Sequence, residues 1–583
     1  MKKIAIILIL IACCSMAIAQ SQVHGPNDPN FSIKCKSGEY IKYTITSKDG
    51  PYTVIVNGIN GNTENTKKIE IPATVHYRNT DFSVTAINKC AFAGIETLSS
   101  ITIPSSVKTI GDEAFKGCFA LKTIKIGGQI EKCGENAFAG TAIAKPIYTG
   151  KTLVYYPPSM TEYKINDGTE TVLEYAFCNC KEMKSISIPS SVKNIYANTF
   201  KNCENLTSIV IAEGNKRYDS RNNCNAIVIT EENKIVKGCK NSTIPNGINT
   251  IGRIAFANTT LAKIDIPNTI TTIEDSAFYN TDLTEITIPE SVTKIGESAF
   301  AKNNKLTVVN FNAKNCNKMS NEHPVFGQCN ALTSVNFGEN VKVVPAFSFM
   351  DCNELRYATL SNSINEINDQ AFYNCNMLTY IELPNSVKKI GDMVFNGTSI
   401  TEPVFSENLF AYYPENYASE YTIPDGIKTI AYKAFYKSSN LKKITIPNSV
   451  TKIEQFAFAD CTELENVTLS KSLETIETGG FRYCTKLKSI SLPNTLTEID
   501  IEVFMGSGLE SVVLPNTITE IKKQAFYDCP KLKSVTLPSS VKSIFWTAFR
   551  ECSELKSIYI PKGSMSKFKE IFKSEFHSKL KEK

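Results

Sequence analysis

The segment from Leu98 to Cys118, LSSITIPSSVKTIGDEAFKGC, recurs with small changes almost to the end of the chain. Its apolar positions are Leu98, Ile101, Ile103, Val107, Ile110, Ala114, Phe115 and Cys118. Leu121, Ile124, Ile126, Ile130, Cys133, Ala137 and Phe138 fill the same slots 23 residues later. A fixed period in the twenties is one coil of a solenoid, which can hide its apolar side only against its neighbours. The length of 583 residues would otherwise suggest about four domains of roughly 150 residues each. A solenoid grows without deepening its core, so that prior gives way.

The phenylalanine that anchors each coil marks the count. It stands at Phe92, Phe115 and Phe138, then at Phe177 and Phe200. It returns at Phe256, Phe278, Phe300, Phe326, Phe349, Phe372 and Phe395, and again at Phe435, Phe458, Phe481, Phe504, Phe526 and Phe549. Three wider gaps, of 39, 56 and 40 residues, precede Phe177, Phe256 and Phe435. They predict hairpin elaborations near 141–170, 213–245 and 399–425. The first and third align with each other, and Tyr155-Tyr156-Pro157 and Tyr412-Tyr413-Pro414 are expected at the bends.

Within a coil, Ile101-Thr102-Ile103 alternates as a strand with one buried face, and Pro104 ends the ladder because it lacks an N–H. Val107 and Ile110 open a second inward side, and Glu113-Ala114-Phe115 makes a third. The prediction is an α/β repeat of about 20 coils with one continuous parallel β-sheet over 76–561, a body on the order of 100 Å long. Residues 20–75, with the alternating runs KYTITS and YTVIVNG, are expected to form an N-terminal β cap. In residues 562–583, Met565, Phe568, Phe572, Phe576 and Leu580 fall at helical spacing with seven lysines against three glutamates. That segment predicts an amphipathic helical cap over the last coil, and a membrane-surface helix is the other reading.

The N-terminus, Met1-Lys2-Lys3 followed by IAIILILIACC, has the plan of an export signal, with Ala17-Ile18-Ala19 as its cleavage site after residue 19. Leu10-Ile11-Ala12-Cys13 offers a second reading as a lipoprotein box acylated at Cys13. Both readings predict a secreted or cell-surface protein, touching membrane only through such an anchor. A net charge of +5 is too small to point to nucleic acid.

No GxSxG, HExxH, Walker or GxGxxG pattern occurs, and the four histidines, His24, His76, His323 and His577, are far apart in sequence. No catalytic residue, metal ligand or cofactor is therefore assigned. Carboxylates such as Asp112 and Glu113 read as a solvated surface. Ten cysteines sit three residues after the anchoring phenylalanine, where other coils carry Thr, Ser, Asn or Ile; the position wants a small buried side chain. Free thiols are expected there, although stacked neighbours such as Cys352 and Cys375 lie within disulfide range. Cys224 and Cys239, facing each other across the second elaboration, are the better candidates for a bridge.

The outward residue between the two strand isoleucines forms a column: Thr102, Lys125, Ser187, Val210, Asp265, Thr287, Asn310, Asn336, Thr359, Glu382, Thr445, Thr468, Ser491, Val513, Thr536 and Tyr559. It is either a ladder chosen for β-propensity or a long shallow binding groove. Tyr155, Tyr156, Tyr412 and Tyr413 on the hairpins are a second candidate contact surface.

The unit LxxIxIPxSVxxIGxxAFxxC resembles the BspA-like, or Treponema pallidum-type, leucine-rich repeat proteins. It departs from the common leucine-rich repeat at Ser106, where that repeat has asparagine. The resemblance implies a right-handed arc and a secreted or surface protein of host-associated bacteria. It also implies a non-enzymatic adhesin-like scaffold for host matrix proteins, such as fibronectin and fibrinogen, or for receptors. Glycan or nutrient capture is the alternative.

Overall fold

The computed structural model describes residues 29–47 and 49–583. The export signal, with its alternatives at Ala19 and Cys13, lies outside them. The chain forms two compact units: residues up to 218 without 207–209, and residues 219–583 together with 207–209. Both are β-solenoids, about 22 turns in all.

Every regular coil has three sides. On the first, Ser100–Ile103 puts Ile101 and Ile103 inward and Ser100 and Thr102 outward, and pairs in parallel with Lys68–Glu70 before it and Thr123–Ile126 after it. The Pro104 carbonyl then accepts the Val107 N–H in a tight turn, as Pro289 does for Val292 and Pro447 for Val450. The second side is Thr109–Ile110, which pairs in parallel with Thr80–Ile87 and Lys132–Cys133. The parallel pairing is therefore not one continuous sheet. It runs on two sides of the coil, in separate sheets of three to seven strands.

Glycine at the next corner is required by closeness. A Cβ on Gly134 would lie 2.3 Å from the Asp112 backbone nitrogen, and one on Gly391 would lie 2.4 Å from that of Asp369. The third side is bonded coil to coil without strand geometry. Glu113 N–H donates to Glu135 O (2.9 Å), Phe115 N–H to Ala137 O (2.7 Å) and Gly117 N–H to Ala139 O (2.8 Å). The residues two before and two after the phenylalanine are left-handed, as at Glu113 (φ 55°) and Gly117 (φ 76°), Ser276 (φ 54°) and Asn280 (φ 53°), and Phe456 (φ 55°) and Asp460 (φ 58°). These two left-handed positions flank the phenylalanine, so the third side is not a helix, and its N–H groups bond to the next coil. The left-handed backbone also selects Gly, Asn and Asp two residues after the phenylalanine, the types that tolerate that region. The helical content implied by an α/β class is correspondingly small. Among the described residues there is one α-helix, Met565–Ile571, and two short 3-10 segments.

The phenylalanines lie fully inside and stack on each other down each unit. Phe92, Phe115 and Phe138 are 5.4 Å apart with rings within 8° of parallel, and Phe458 and Phe481 are 5.0 Å apart at 1°. Such pairs contribute about 0.5–1.5 kcal/mol beyond their buried area.

The ends differ from the expected caps in detail. At the start, Asn30–Lys34, Tyr40–Ser47 and Thr53–Ile59 form an antiparallel meander whose last strand passes in parallel onto Thr80–Ile87. At the other end, 562–583 is not one amphipathic helix. After the seven-residue helix and a 3-10 turn (Ser574–Lys579), Leu580–Glu582 adds a parallel strand to Ser557–Ile560. An open ladder edge has unpaired N–H and C=O groups, and a strand satisfies them where a helix would not. Phe568, Phe572, Phe576 and Leu580 are buried against the last coil, so no apolar stripe is left for a membrane surface.

The elaborations are hairpins: Ile147–Thr149 with Thr152–Tyr155, Val404–Phe405 with Leu409–Tyr412, and Ile227–Ile229 with Lys234–Lys237. The Tyr-Tyr-Pro triplets are not at the bends. The first and third chains reverse between Thr149 and Thr152 and between Phe405 and Leu409, and each tyrosine pair ends or follows the returning strand.

Phe372 is fully buried between Phe349 (6.1 Å) and Phe395 (6.3 Å). Phe372→Ala is expected to cost about 3–5 kcal/mol by leaving a cavity. Hydrogen exchange should rise first in residues 349–395, and unchanged protection there would contradict a core held by coil-to-coil stacking.

Candidate functional site

The outward column is built by the strand register. Thr287, Asn310, Asn336 and Thr359 are direct neighbours across three parallel pairings. Thr445 faces Thr468, Thr102 faces Lys125, Ser187 faces Lys164, and Thr536 lies between Val513 and Tyr559. All are exposed or half-exposed. Asn336 Nδ2 donates to Asn310 Oδ1 (3.0 Å), and Asn310 Nδ2 donates to the Glu285 carboxylate (2.7 Å). Asp265, Glu382 and Ser491 occupy the same step of the repeat and are exposed, but their segments lie outside the paired strands. The column thus consists of local ladders of hydroxyls and amides separated by interruptions.

The tyrosine pairs divide between the core and the surface. Tyr156 and Tyr413 are buried and take the phenylalanine position in the long coils, 4.9 Å from Phe177 and 4.7 Å from Phe435. Tyr413 Oη donates to Ala418 O at 2.7 Å, and burial pushes its hydroxyl up to about 12. Tyr155 and Tyr412 are half-buried, their rings tilted at 51° and 53° against Phe138 (5.0 Å) and Phe395 (5.7 Å). They line two creases, of about 240 and 180 Å³, at equivalent places in the two long coils. Beside the first, Lys201 Nζ bonds both Glu135 oxygens at 2.9 Å; in the second, Lys433 Nζ bonds both Asp392 oxygens at 2.8 and 2.9 Å. Burial is the largest single influence on the Lys433 ammonium and works to lower its pKa, but the interactions with Asp392 and Tyr432 together exceed it, so the pKa is raised. These ion pairs secure the side of the solenoid where a long coil interrupts the third-side rungs.

The cysteines turn out to be hydrogen-bond donors. Cys118 Sγ points at Phe92 O (3.0 Å), Cys375 at Phe349 O (3.2 Å), Cys461 at Phe435 O (3.0 Å) and Cys552 at Phe526 O (3.0 Å). Each of these thiols thus reaches the anchoring residue of the preceding coil, and Cys552 also interacts with the neighbouring Cys529. Burial raises the Cys118, Cys329 and Cys461 thiols to about 12. Thr141, Thr259 and Thr398 at this position turn back to their own coil's phenylalanine carbonyl (2.7–2.9 Å). Ser438 is buried and its hydroxyl has no hydrogen-bond partner. Cys224 and Cys239 are also free and buried; Cys239 Sγ lies 3.3 Å from Asn225 O and the Ser242 hydroxyl bonds beside it.

Asp112 and Asp369 do more than face solvent. Their Oδ1 atoms accept the N–H of Glu135 (2.8 Å) and of Asp392 (2.7 Å), coupling one corner to the next. A ladder absent from the sequence reading lies two residues after the phenylalanines. Asn202 Nδ2 donates to Asn179 Oδ1 (2.8 Å), Asn280 to Asn258 (2.8 Å) and Asn374 to Asp351 (2.9 Å), while Asn179 itself donates to Asn136 (2.7 Å), two residues before Phe138. The recurrent KNC, CNC and YNC triplets carried that signal. Among the described residues no three His, Cys, Asp or Glu side chains are grouped to hold a metal, and no helix is long and apolar enough to cross a membrane.

The profile of the BspA type leucine rich repeat region matches six times, over residues 53–156, 147–231, 235–324, 322–417, 407–533 and 497–582. Similar solved structures include a leucine-rich repeat protein from Eubacterium ventriosum, 25% identical over 64% of this chain and 96% of that one, with a TM-score of 0.42. The T. pallidum leucine-rich repeat protein is 34% identical over 26% of this chain and 72% of its own, with a TM-score of 0.25. The pneumococcal vaccine antigen PcpA is 18% identical over 96% of this chain and all of its own, with a TM-score of 0.28. No protein with a curated description matches.

Two measurements check the thiol column. The 17 described cysteines should titrate in denaturant to the same count with and without reductant; a rise on reduction would show disulfides. Ser438→Cys should raise stability by about 1 kcal/mol, because it replaces an unpaired buried hydroxyl by a less polar donor. A lower urea midpoint would contradict this.

Proposed function

We propose, from the premise that this chain belongs to the BspA-type leucine-rich repeat family, that it is an exported, surface-displayed scaffold that binds a host extracellular protein without chemistry of its own. The observation that carries this reading is the outward column. Hydroxyl and amide groups repeat at the strand spacing of about 4.8 Å on a backbone already fixed by pairing on both sides. A partner laid along it has donors and acceptors in register, and the ordering cost falls on the partner alone. A shallow polar face of this kind suits a protein–protein contact of roughly 1,200–2,000 Å². Export through the N-terminal signal, with release after Ala19 or lipidation at Cys13, places that face outside the cell.

The test is binding of the mature chain to immobilised fibronectin, fibrinogen and receptor ectodomains by surface plasmon resonance. Thr445→Arg with Thr468→Arg, or Thr287→Arg with Thr359→Arg, should weaken binding at least about tenfold, a loss of roughly 1.4 kcal/mol. Tyr413→Phe should leave it unchanged. Absence of binding across the panel, or full binding in both double variants, overturns the reading.

A further inference from the structure

The strand-side ladder opens at the segments of Asp265, Glu382 and Ser491, and the opening at Glu382 is the one flanked by strongly exposed aromatic rings. Tyr357–Thr359 pairs in parallel with Ser334–Phe337 before it, but the corresponding segment of the next coil, 380–383, forms no strand. Elsewhere the coil donates backbone N–H groups across this step, as Arg356 does to Thr333 and Thr333 to Thr307. The opening is a cleft of about 340 Å³ whose lining includes Tyr357, Thr359, Leu360, Asn362, Tyr380 and Glu382. That volume lies within the range of about 300–1,000 Å³ typical of small-ligand sites.

Tyr357 and Tyr380 are 65% and 66% exposed, more than any other aromatic side chain among the described residues. They stand at the same step of consecutive coils, where the repeat elsewhere carries Ser100, Ser185, Ser334 and Ser534. Other paired coils carry residues as different as Glu285, Val308, Lys443 and Asn466 at that outward step, and none carries an aromatic residue, so two rings in succession are a departure that packing does not explain.

We propose that this cleft binds a neutral oligosaccharide, with the two tyrosine rings as platforms for successive sugar residues. A sugar presents a C–H face that stacks on an aromatic ring and an edge of hydroxyls that both donate and accept. Glu382 accepts from those hydroxyls, Thr359 and Asn362 do both, and the unpaired backbone groups of the opened ladder complete the set. The lining contains one carboxylate and no Lys, Arg or His. An acidic or sulfated sugar would therefore meet a like charge without a compensating cation. A proline-rich peptide also stacks on tyrosines, but its prolines have no N–H for the Glu382 carboxylate. The site is independent of the host-protein reading: it can fail while matrix binding persists, and the reverse.

The experiment applies the mature chain to an array of neutral oligosaccharides (hexose and N-acetylhexosamine oligomers), sialylated and sulfated glycans, and a poly-L-proline decamer, and titrates the strongest neutral hit by calorimetry. Wild-type protein should bind at least one neutral oligosaccharide. Tyr357→Ala and Tyr380→Ala should each weaken it about tenfold or more, and Glu382→Gln about threefold or more, with thermal melting unchanged because the substituted side chains are exposed. Absence of neutral-sugar binding overturns the proposal. So does binding confined to anionic glycans or polyproline, or neutral-sugar binding undiminished in both tyrosine variants.

Discussion

No single coil of this chain can cover its own apolar side. Some 23 residues fold into a triangle whose inward isoleucines, leucine and phenylalanine meet only the coils above and below. The ordering cost, on the order of 1.5 kcal/mol per residue, is offset through coil-to-coil contact, and each of the three sides supplies a different form of it. The first two sides pair as parallel strands. The third uses left-handed residues on either side of the phenylalanine to place its N–H groups against the next coil. Ring stacking, thiol-to-carbonyl contacts, carboxylate corners and the asparagine ladder all run in that same axial direction.

This accounts for what could be read from residues alone. The period, the inward positions and the turn at proline were legible because burial and the missing N–H of proline are local, recurring demands. So was the parallel stacking. The third side was legible as a position but not as a conformation, since left-handed backbone appears in sequence only as Gly, Asn and Asp two residues after phenylalanine. The C-terminal segment misled for a related reason. Apolar residues three or four apart satisfy a helix, but Leu580 is needed as a strand partner for Ile558, and a tertiary edge outweighed the local period.

The candidate surfaces separate in the same way. The strand column follows from alternation, and the structure places its residues outward as alternation requires. The tyrosine pairs resembled a contact surface because aromatic residues in an inserted hairpin look surplus to a core. They instead complete the phenylalanine stack where the long coils displace it. Tyr357 and Tyr380 drew no attention in sequence because they sit at an outward step of otherwise regular coils. Only the loss of pairing beside them distinguishes them.

On the proposed export route, the thiol contacts also bear on how such a chain matures. A protein rich in cysteine usually depends there on oxidase and isomerase to choose among many pairings. Here sulfurs such as those of Cys118 and Cys461 are assigned by the coil that forms around them, and the proton is held against a carbonyl while burial disfavours the thiolate; Cys529, whose thiol is shifted down by its bond with Cys552, is the exception. Maturation then needs no electron acceptor, and mispairing is suppressed by the same stacking that builds the core.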